Sequence, residues 1–227
     1  MKRLIAVTLL SGIAISCCWA IMHSPPVRNT QRLDDLRLNA RFGFEPNLGQ
    51  AGRQFDFVAR GRDYSLGVSS HELVLTYFEG FGDVDEWFRD EVVRLKIVGA
   101  QGAAATGEDL LPGKSVFKLR ADIPNYERVV YQHIYPGIDL VYSGDQGRLE
   151  LQFVIGKGGD PEMIRLAWNG VWRARVEPDG KLALRTPIGE IELLPPISYD
   201  RFDGSRQTVP GCFKRLRGSR ATFQSPR

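Results

Sequence analysis

Ile138-Asp139-Leu140-Val141-Tyr142-Ser143-Gly144-Asp145-Gln146-Gly147-Arg148-Leu149-Glu150-Leu151-Gln152-Phe153-Val154-Ile155 is the stretch that decides the fold class. Ile138, Leu140 and Tyr142 recur at every second position of its first arm. Leu149, Leu151, Phe153 and Ile155 do so in its second. Side chains along a strand point alternately to opposite faces, so each arm reads as a strand with one apolar side. Gly and Asp between the arms supply turn chemistry and make the pair a hairpin. A turn centred on Asp145-Gln146 predicts Tyr142 opposite Leu149, Leu140 opposite Leu151 and Ile138 opposite Phe153, with the whole apolar set on one side. That register sets Asp139 opposite Gln152, with Glu150 diagonal to it.

The same short alternation recurs outward in both directions. Runs at Gln54 to Val58, Tyr64 to Val68, His71 to Phe78, Glu91 to Val98, Val116 to Leu119 and Arg128 to Tyr131 precede the hairpin. Met163 to Trp168, Ala174 to Glu177, Leu182 to Arg185, Glu190 to Leu194, Ile197 to Phe202, Val209 to Phe213 and Ala221 to Gln224 follow it. Most are bounded by Gly, Pro, Asn or Asp, at the spacing of roughly 8–12 residues typical of sandwiches and barrels. A parallel α/β fold needs helical patterns of roughly 10–15 residues between its strands, and none is present. Helical spacing shows only around Leu33, Leu36 and Leu38. The expected fold is all-β, a β-sandwich-type domain of two packed, mainly antiparallel sheets. No internal repeat of roughly 20–50 residues points to a propeller or solenoid.

The N-terminus has a different logic. Lys2 and Arg3 precede an apolar run from Leu4 to Ile15, and Cys18-Trp19-Ala20 offers small residues at the −3 and −1 positions of a cleavage site. A charged start, a short apolar stretch and small residues form the pattern of a secretory leader, and the run is shorter than the roughly 20 residues of a membrane-spanning helix. The expected organisation is a signal peptide over residues 1–20, a tether over 21–43 containing Pro25-Pro26, and one all-β domain over 44–227. The mature form is then exported, to the periplasm, the cell surface or the medium, with no transmembrane span. Ala14-Ile15-Ser16-Cys17 resembles a loose lipobox that would leave a lipid anchor at Cys17, but Ala14 stands where Leu or Val is more usual. Cleavage after Ala20 is favoured.

Charge and cysteine content restrict function further. The chain has 30 basic and 27 acidic residues. Without Lys2 and Arg3 it is close to neutral, so no nucleic-acid partner is expected. Lys214, Arg215, Arg217, Arg220 and Arg227 are read as a solvated end. Of the three cysteines, Cys17, Cys18 and Cys212, cleavage after Ala20 leaves Cys212 alone. A single thiol forms no internal disulfide, so the core must hold the fold. His23, His71 and His133 lack metal-ligand spacing, and no nucleophile elbow, P-loop or dinucleotide fingerprint occurs. No cofactor or metal is expected.

Tyr135-Pro136-Gly137-Ile138-Asp139-Leu140-Val141-Tyr142 carries a family resemblance, supported by Phe44-Glu45-Pro46-Asn47-Leu48-Gly49-Gln50, Phe57 to Gly61, Leu95 to Ala100, Pro112-Gly113-Lys114, Gly159-Asp160-Pro161, Asp179-Gly180 and Asp203-Gly204. From about Phe44 to Phe223 the chain resembles the uncharacterised N-terminal domain of bacterial cell-surface proteins carrying SBBP (β-propeller) repeats. It departs from that pattern in a shorter Ser115 to Tyr126 segment, in Gln152 where an acid is usual, and in lacking the repeats. The resemblance implies a cell-surface location and transfers no activity.

Three groups of residues could face a ligand. Asp139 and Glu150 are the best carboxylate pair, of the kind that serves glycoside hydrolysis or cation binding, but neutral Gln152 weakens both uses. Asn47 and Gln50 either line a polar loop or build a structural corner, and the corner is favoured. Trp87, in the acidic loop from Gly80 to Asp90, is the best candidate for stacking on a sugar ring, whereas Trp168 and Trp172 suit packing as well. The leading expectation is a non-catalytic module that binds a protein partner or supports a surface assembly through exposed edge strands. A carbohydrate-binding module or a glycan-active enzyme is the alternative.

Overall fold

A computed structural model describes residues 3–10, 43–61, 64–80, 87–117, 120–145, 148–186, 189–202, 205–210, 212–215 and 220–224, with some strand residues, Arg3–Leu10 and Trp87 among them, described in their backbone alone. The tether, the helical spacing around Leu36, and Cys17 and Cys18 lie outside the described residues.

The all-β expectation is correct. Among the described residues eighteen strands form two antiparallel sheets, and a single 3₁₀ turn at Pro161–Met163 is the only helical piece. One sheet runs, in spatial order, β12 (Arg173–Val176), β13 (Leu182–Thr186), β14 (Gly189–Leu193), β1 (Arg3–Leu10), β10 (Arg148–Ile155), β9 (Ile138–Asp145), β8 (Arg120–Tyr135) and β7 (Ala105–Phe117). A further hairpin, β15 (Ile197–Phe202) and β16 (Ser205–Pro210), joins it through β1. The other sheet runs β17 (Cys212–Arg215), β18 (Arg220–Gln224), β11 (Arg165–Asn169), β6 (Trp87–Ile97), β5 (Glu72–Gly80), β4 (Tyr64–Val68), β3 (Phe57–Arg60) and β2 (Glu45–Pro46).

The β9–β10 hairpin forms with its apolar face inward: Leu140, Tyr142, Leu151 and Phe153 are all fully buried. Its register differs from the sequence expectation by two residues. Tyr142 pairs with Leu151, Leu140 with Phe153 and Ile138 with Ile155. At the end of the hairpin Asp145 pairs with Arg148. A slip by an even number preserves the faces, so the buried set was correctly foreseen although the pairs were not.

Tyrosines tie the two sheets together. Buried Tyr131 and Tyr142 donate their hydroxyls across the core to the carbonyls of Val68 (3.3 Å) and Ser69 (3.1 Å), and Tyr135 donates to Val98 (2.7 Å). Tyr131 also donates to Asp56 at 3.2 Å and meets Tyr142 edge to face at 5.9 Å. Each phenol therefore supplies a large apolar body to the core while giving its polar end a partner. Burial pushes Tyr135 up to about 12 against the opposing influence of Arg165, and it raises Tyr64 to about 12 as well.

Two further landmarks of the sequence meet at one point. Gly137 has φ of 71°, and a Cβ there would lie 2.9 Å from the backbone nitrogen of Gly159. Gly156 donates its N–H to the Gly137 carbonyl at 2.7 Å. The Tyr-Pro-Gly and Gly-Asp-Pro segments are thus glycine-rich because their backbones touch. Asp160 then caps the 3₁₀ turn by accepting the Glu162 N–H at 2.9 Å.

The apolar run at the N-terminus occupies the middle of the first sheet. Arg3–Leu10 lies antiparallel to β10 on one side and to β15 and β14 on the other. Ile5, Val7 and Thr8 give it the β-branched content that suits a strand.

Candidate functional site

The corner from Phe44 to Gln50 is built by its own side chains. Asn47 donates to the carbonyls of Gly52 (2.9 Å) and Phe55 (2.8 Å), and its Oδ1 accepts the N–H groups of Gly49 (3.1 Å) and Ala51 (3.2 Å). Gln50 donates to the Pro46 carbonyl at 3.0 Å and accepts from the Leu48 N–H. Both amides are engaged by local backbone, as the corner reading expected. Phe44 exchanges backbone hydrogen bonds with Tyr126 at 2.9 Å in each direction, which pins this corner to β8.

Asp139 and Glu150 are not brought together. Glu150 pairs with Ser143, four positions along β9 from Asp139, a separation of about 13 Å along the strand. That exceeds the roughly 5–9.5 Å used by carboxylate pairs in glycoside hydrolysis. Asp139 instead opposes Val154 and accepts the N–H of His133 at 2.8 Å, supporting a residue whose φ is 57°. Gln152 opposes Val141 and donates to Glu150 (2.9 Å) and Ser143 (3.3 Å). The expectation that Gln152 faces Asp139 is therefore corrected; the two-residue change of register separates them. Among the described residues no group of three His, Cys, Asp or Glu side chains is placed to hold a metal.

The tryptophans divide sharply. Trp168 is buried in β11, between β18 and β6, with its indole N–H unpartnered among the described residues. Trp172 is 69% exposed. Trp87 opens β6 opposite Gly80, and its side chain lies outside the described residues, as does that of Cys212.

A cleft of ≈ 500 Å³ lies where the β7–β8 hairpin meets the edge of β2 and β3, with Glu45, Arg60, Leu111, Pro112, Ser115 and Asn125 in its wall. Sequence reading missed its central pair. Glu45 is only 2% exposed and binds Arg60 through both carboxylate oxygens. Arg60 also donates to the Val116 carbonyl at 3.2 Å and sits 5.8 Å above the Phe117 ring. An acid between Phe44 and Pro46, with an Arg on the neighbouring strand, was the available signal. The ion pair and the Ser115–Asn125 hydrogen bonds (2.9 and 3.1 Å) anchor the hairpin.

β7 itself is the most unusual surface. Among the described strands it is the outermost of its sheet, and it runs from Ala105 to Phe117 without one buried residue. Leu110 and Val116 are 67% and 62% exposed. From Ala105 to Glu108 it pairs regularly with β8; beyond that the register shifts around Pro112 and Asp109 takes φ of 55°. An outer strand offers a free row of N–H and C=O groups, the geometry that accepts another strand.

No curated protein and no solved structure matches the chain. The profile of a domain of unknown function, DUF7948, matches residues 44–227, and the chain belongs to that family.

Proposed function

We propose that this chain is an exported, non-catalytic β-sandwich module that joins a protein assembly at the cell surface by strand addition along β7. The observation that carries the reading is the outer edge of Ala105–Phe117, with Leu110 and Val116 exposed beside a cleft. Main-chain hydrogen bonds along Ala105 to Glu108 would supply affinity, and the cleft would take a partner side chain. Lys2-Arg3, the apolar run and Ala20 support export. The Tyr135 to Tyr142 octapeptide supports a kinship with domains that precede SBBP repeats, and so a surface setting.

The test places a photo-crosslinking amino acid at position 110, 116 or 172 of the full chain in its producing cell. Defined adducts from 110 and 116 are expected, the 110 adduct lost with Val116→Lys and the 116 adduct lost with Leu110→Lys. Folded protein that gives no adduct from either β7 position would sink the reading. Sugar binding is the second reading, and exposed Trp172 favours it. A glycan-array signal abolished by Trp172→Ala would put it first.

A further inference from the structure

We propose that the place of β1 is a strand-accepting slot, filled by Arg3–Leu10 in the unprocessed chain and, once the leader is removed, by an apolar extended strand donated by a partner polypeptide. This rests on the exported, strand-accepting reading above and names a second site and the chemistry of its occupant.

β1 pairs along Arg3 to Leu9 with Ile155 to Leu149 of β10. On its other side it pairs with Ile197 to Asp200 of β15 and with Glu192 and Leu193 of β14. Among the described strands it is the sole link between β10 and the block formed by β12, β13 and β14, and it is also the sole strand joining the β15–β16 hairpin to the sheet. Removing residues 1–20 therefore opens an interior row of the sheet rather than trimming an outer strand.

That row is costly to leave empty. The β10 residues facing the core, Leu149, Leu151, Phe153 and Ile155, are each at most 6% exposed, and they stand opposite Leu9, Val7, Ile5 and Arg3. An unpaired strand edge within a sheet leaves backbone donors and acceptors unsatisfied and opens apolar surface to water. The tether is a poor replacement in cis, because Pro25-Pro26 cannot donate to a ladder. The chemistry of the required occupant is written in the segment already seated there. It is an extended peptide of about seven residues, apolar and β-branched at alternate positions, running antiparallel to β10.

The full chain, expressed with its own leader and recovered after export, is first mass-analysed at its N-terminus. The probe is a peptide of sequence Lys-Arg-Leu-Ile-Ala-Val-Thr-Leu-Leu-Ser, identical to residues 2–11. A Pro replacing the residue equivalent to Val7 is the control. Processed protein is expected to bind the probe and to gain amide-exchange protection over Leu149–Ile155. The Pro peptide is expected to bind about tenfold more weakly, since one ladder donor and the extended fit are lost. Chain with cleavage blocked by Ala20→Arg is expected not to bind. An exported protein that keeps residues 3–10 overturns the proposal, as does processed protein that ignores the probe or blocked chain that binds it equally well. Protection gained on Ala105–Phe117 instead also overturns it, while supporting the β7 reading. Loss of β7 crosslinks with intact β10 binding has the converse meaning.

Discussion

The β9–β10 hairpin and β7 belong to one sheet, with β8 between them, yet they are stabilised by different means. Along β10, Leu149, Leu151, Phe153 and Ile155 are buried in alternation with Glu150, Gln152 and Val154. Along β7 no position is buried, and large apolar side chains point to solvent at Leu110 and Val116. The hairpin is held by side chains transferred out of water; β7 is held by its ladder to β8 and by the polar anchors around Arg60 and Asn125. A strand that contributes nothing to the core has side chains and one backbone edge left over for something else. This contrast is the physical basis for proposing recognition at β7 rather than at the central hairpin.

The comparison breaks most visibly in the core. Phe153→Ala is expected to cost about 3–5 kcal/mol in chemical denaturation, because a fully buried ring is replaced by a cavity. A cost below about 1 kcal/mol would mean that this hairpin is not the centre of the core. Gly137→Ala comes next, at about 1–3 kcal/mol, since the new methyl meets the Gly159 backbone and the residue keeps a positive φ.

Tyr135→Phe is smaller at neutral pH, about 1 kcal/mol for the lost hydrogen bond to Val98. Its pH signature is more telling. The folded chain holds the Tyr135 proton to about 12, whereas the ordinary value is 10.0. A raised value in the fold means that this stability is complete below about pH 10 and is lost as pH rises through about 12. Tyr64 behaves in the same sense. Melting temperature in wild type is therefore expected to fall across that alkaline window, and more gently in Tyr135→Phe. Identical slopes would show that the phenol is not shielded as its burial implies. Smallest of all, Leu110→Lys and Val116→Lys are each expected to change stability by no more than about 0.5 kcal/mol, as is usual for exposed positions, while each removes the crosslink placed at the other position. A large loss of stability would show that these residues serve the fold and not a partner.

Legibility in the sequence followed burial. β4 and β15 coincide with the runs at Tyr64 to Val68 and Ile197 to Phe202, and β9 and β10 extend the expected arms by a few residues. β7 was almost invisible: Ala105 to Gly113 mixes Gly, Pro and charges without alternation, because neither face of that strand is covered. Only Arg128 to Tyr131 of the much longer β8 was foreseen: that part lies between β7 and β9 and buries Val129 and Tyr131 in alternation, whereas Arg120 to Tyr126 has β7 as its only described partner strand. The Asn47–Gln50 corner was readable because both amides bond within their own loop. Glu45 was not, since its partner comes from the next strand.

By itself the sequence determined the fold class, the buried face of the β9–β10 hairpin and the Asn47–Gln50 corner, because period-two patterning and Gly and Asn turn chemistry act over a few neighbouring residues. Only the tertiary structure decided the β9–β10 register, the distance between Asp139 and Glu150, the pairing of Glu45 with Arg60 and the outermost place of β7 among the described strands. Each of these depends on which strand lies beside which, and a sheet can slip by two residues or exchange neighbours without altering the alternation that the sequence displays.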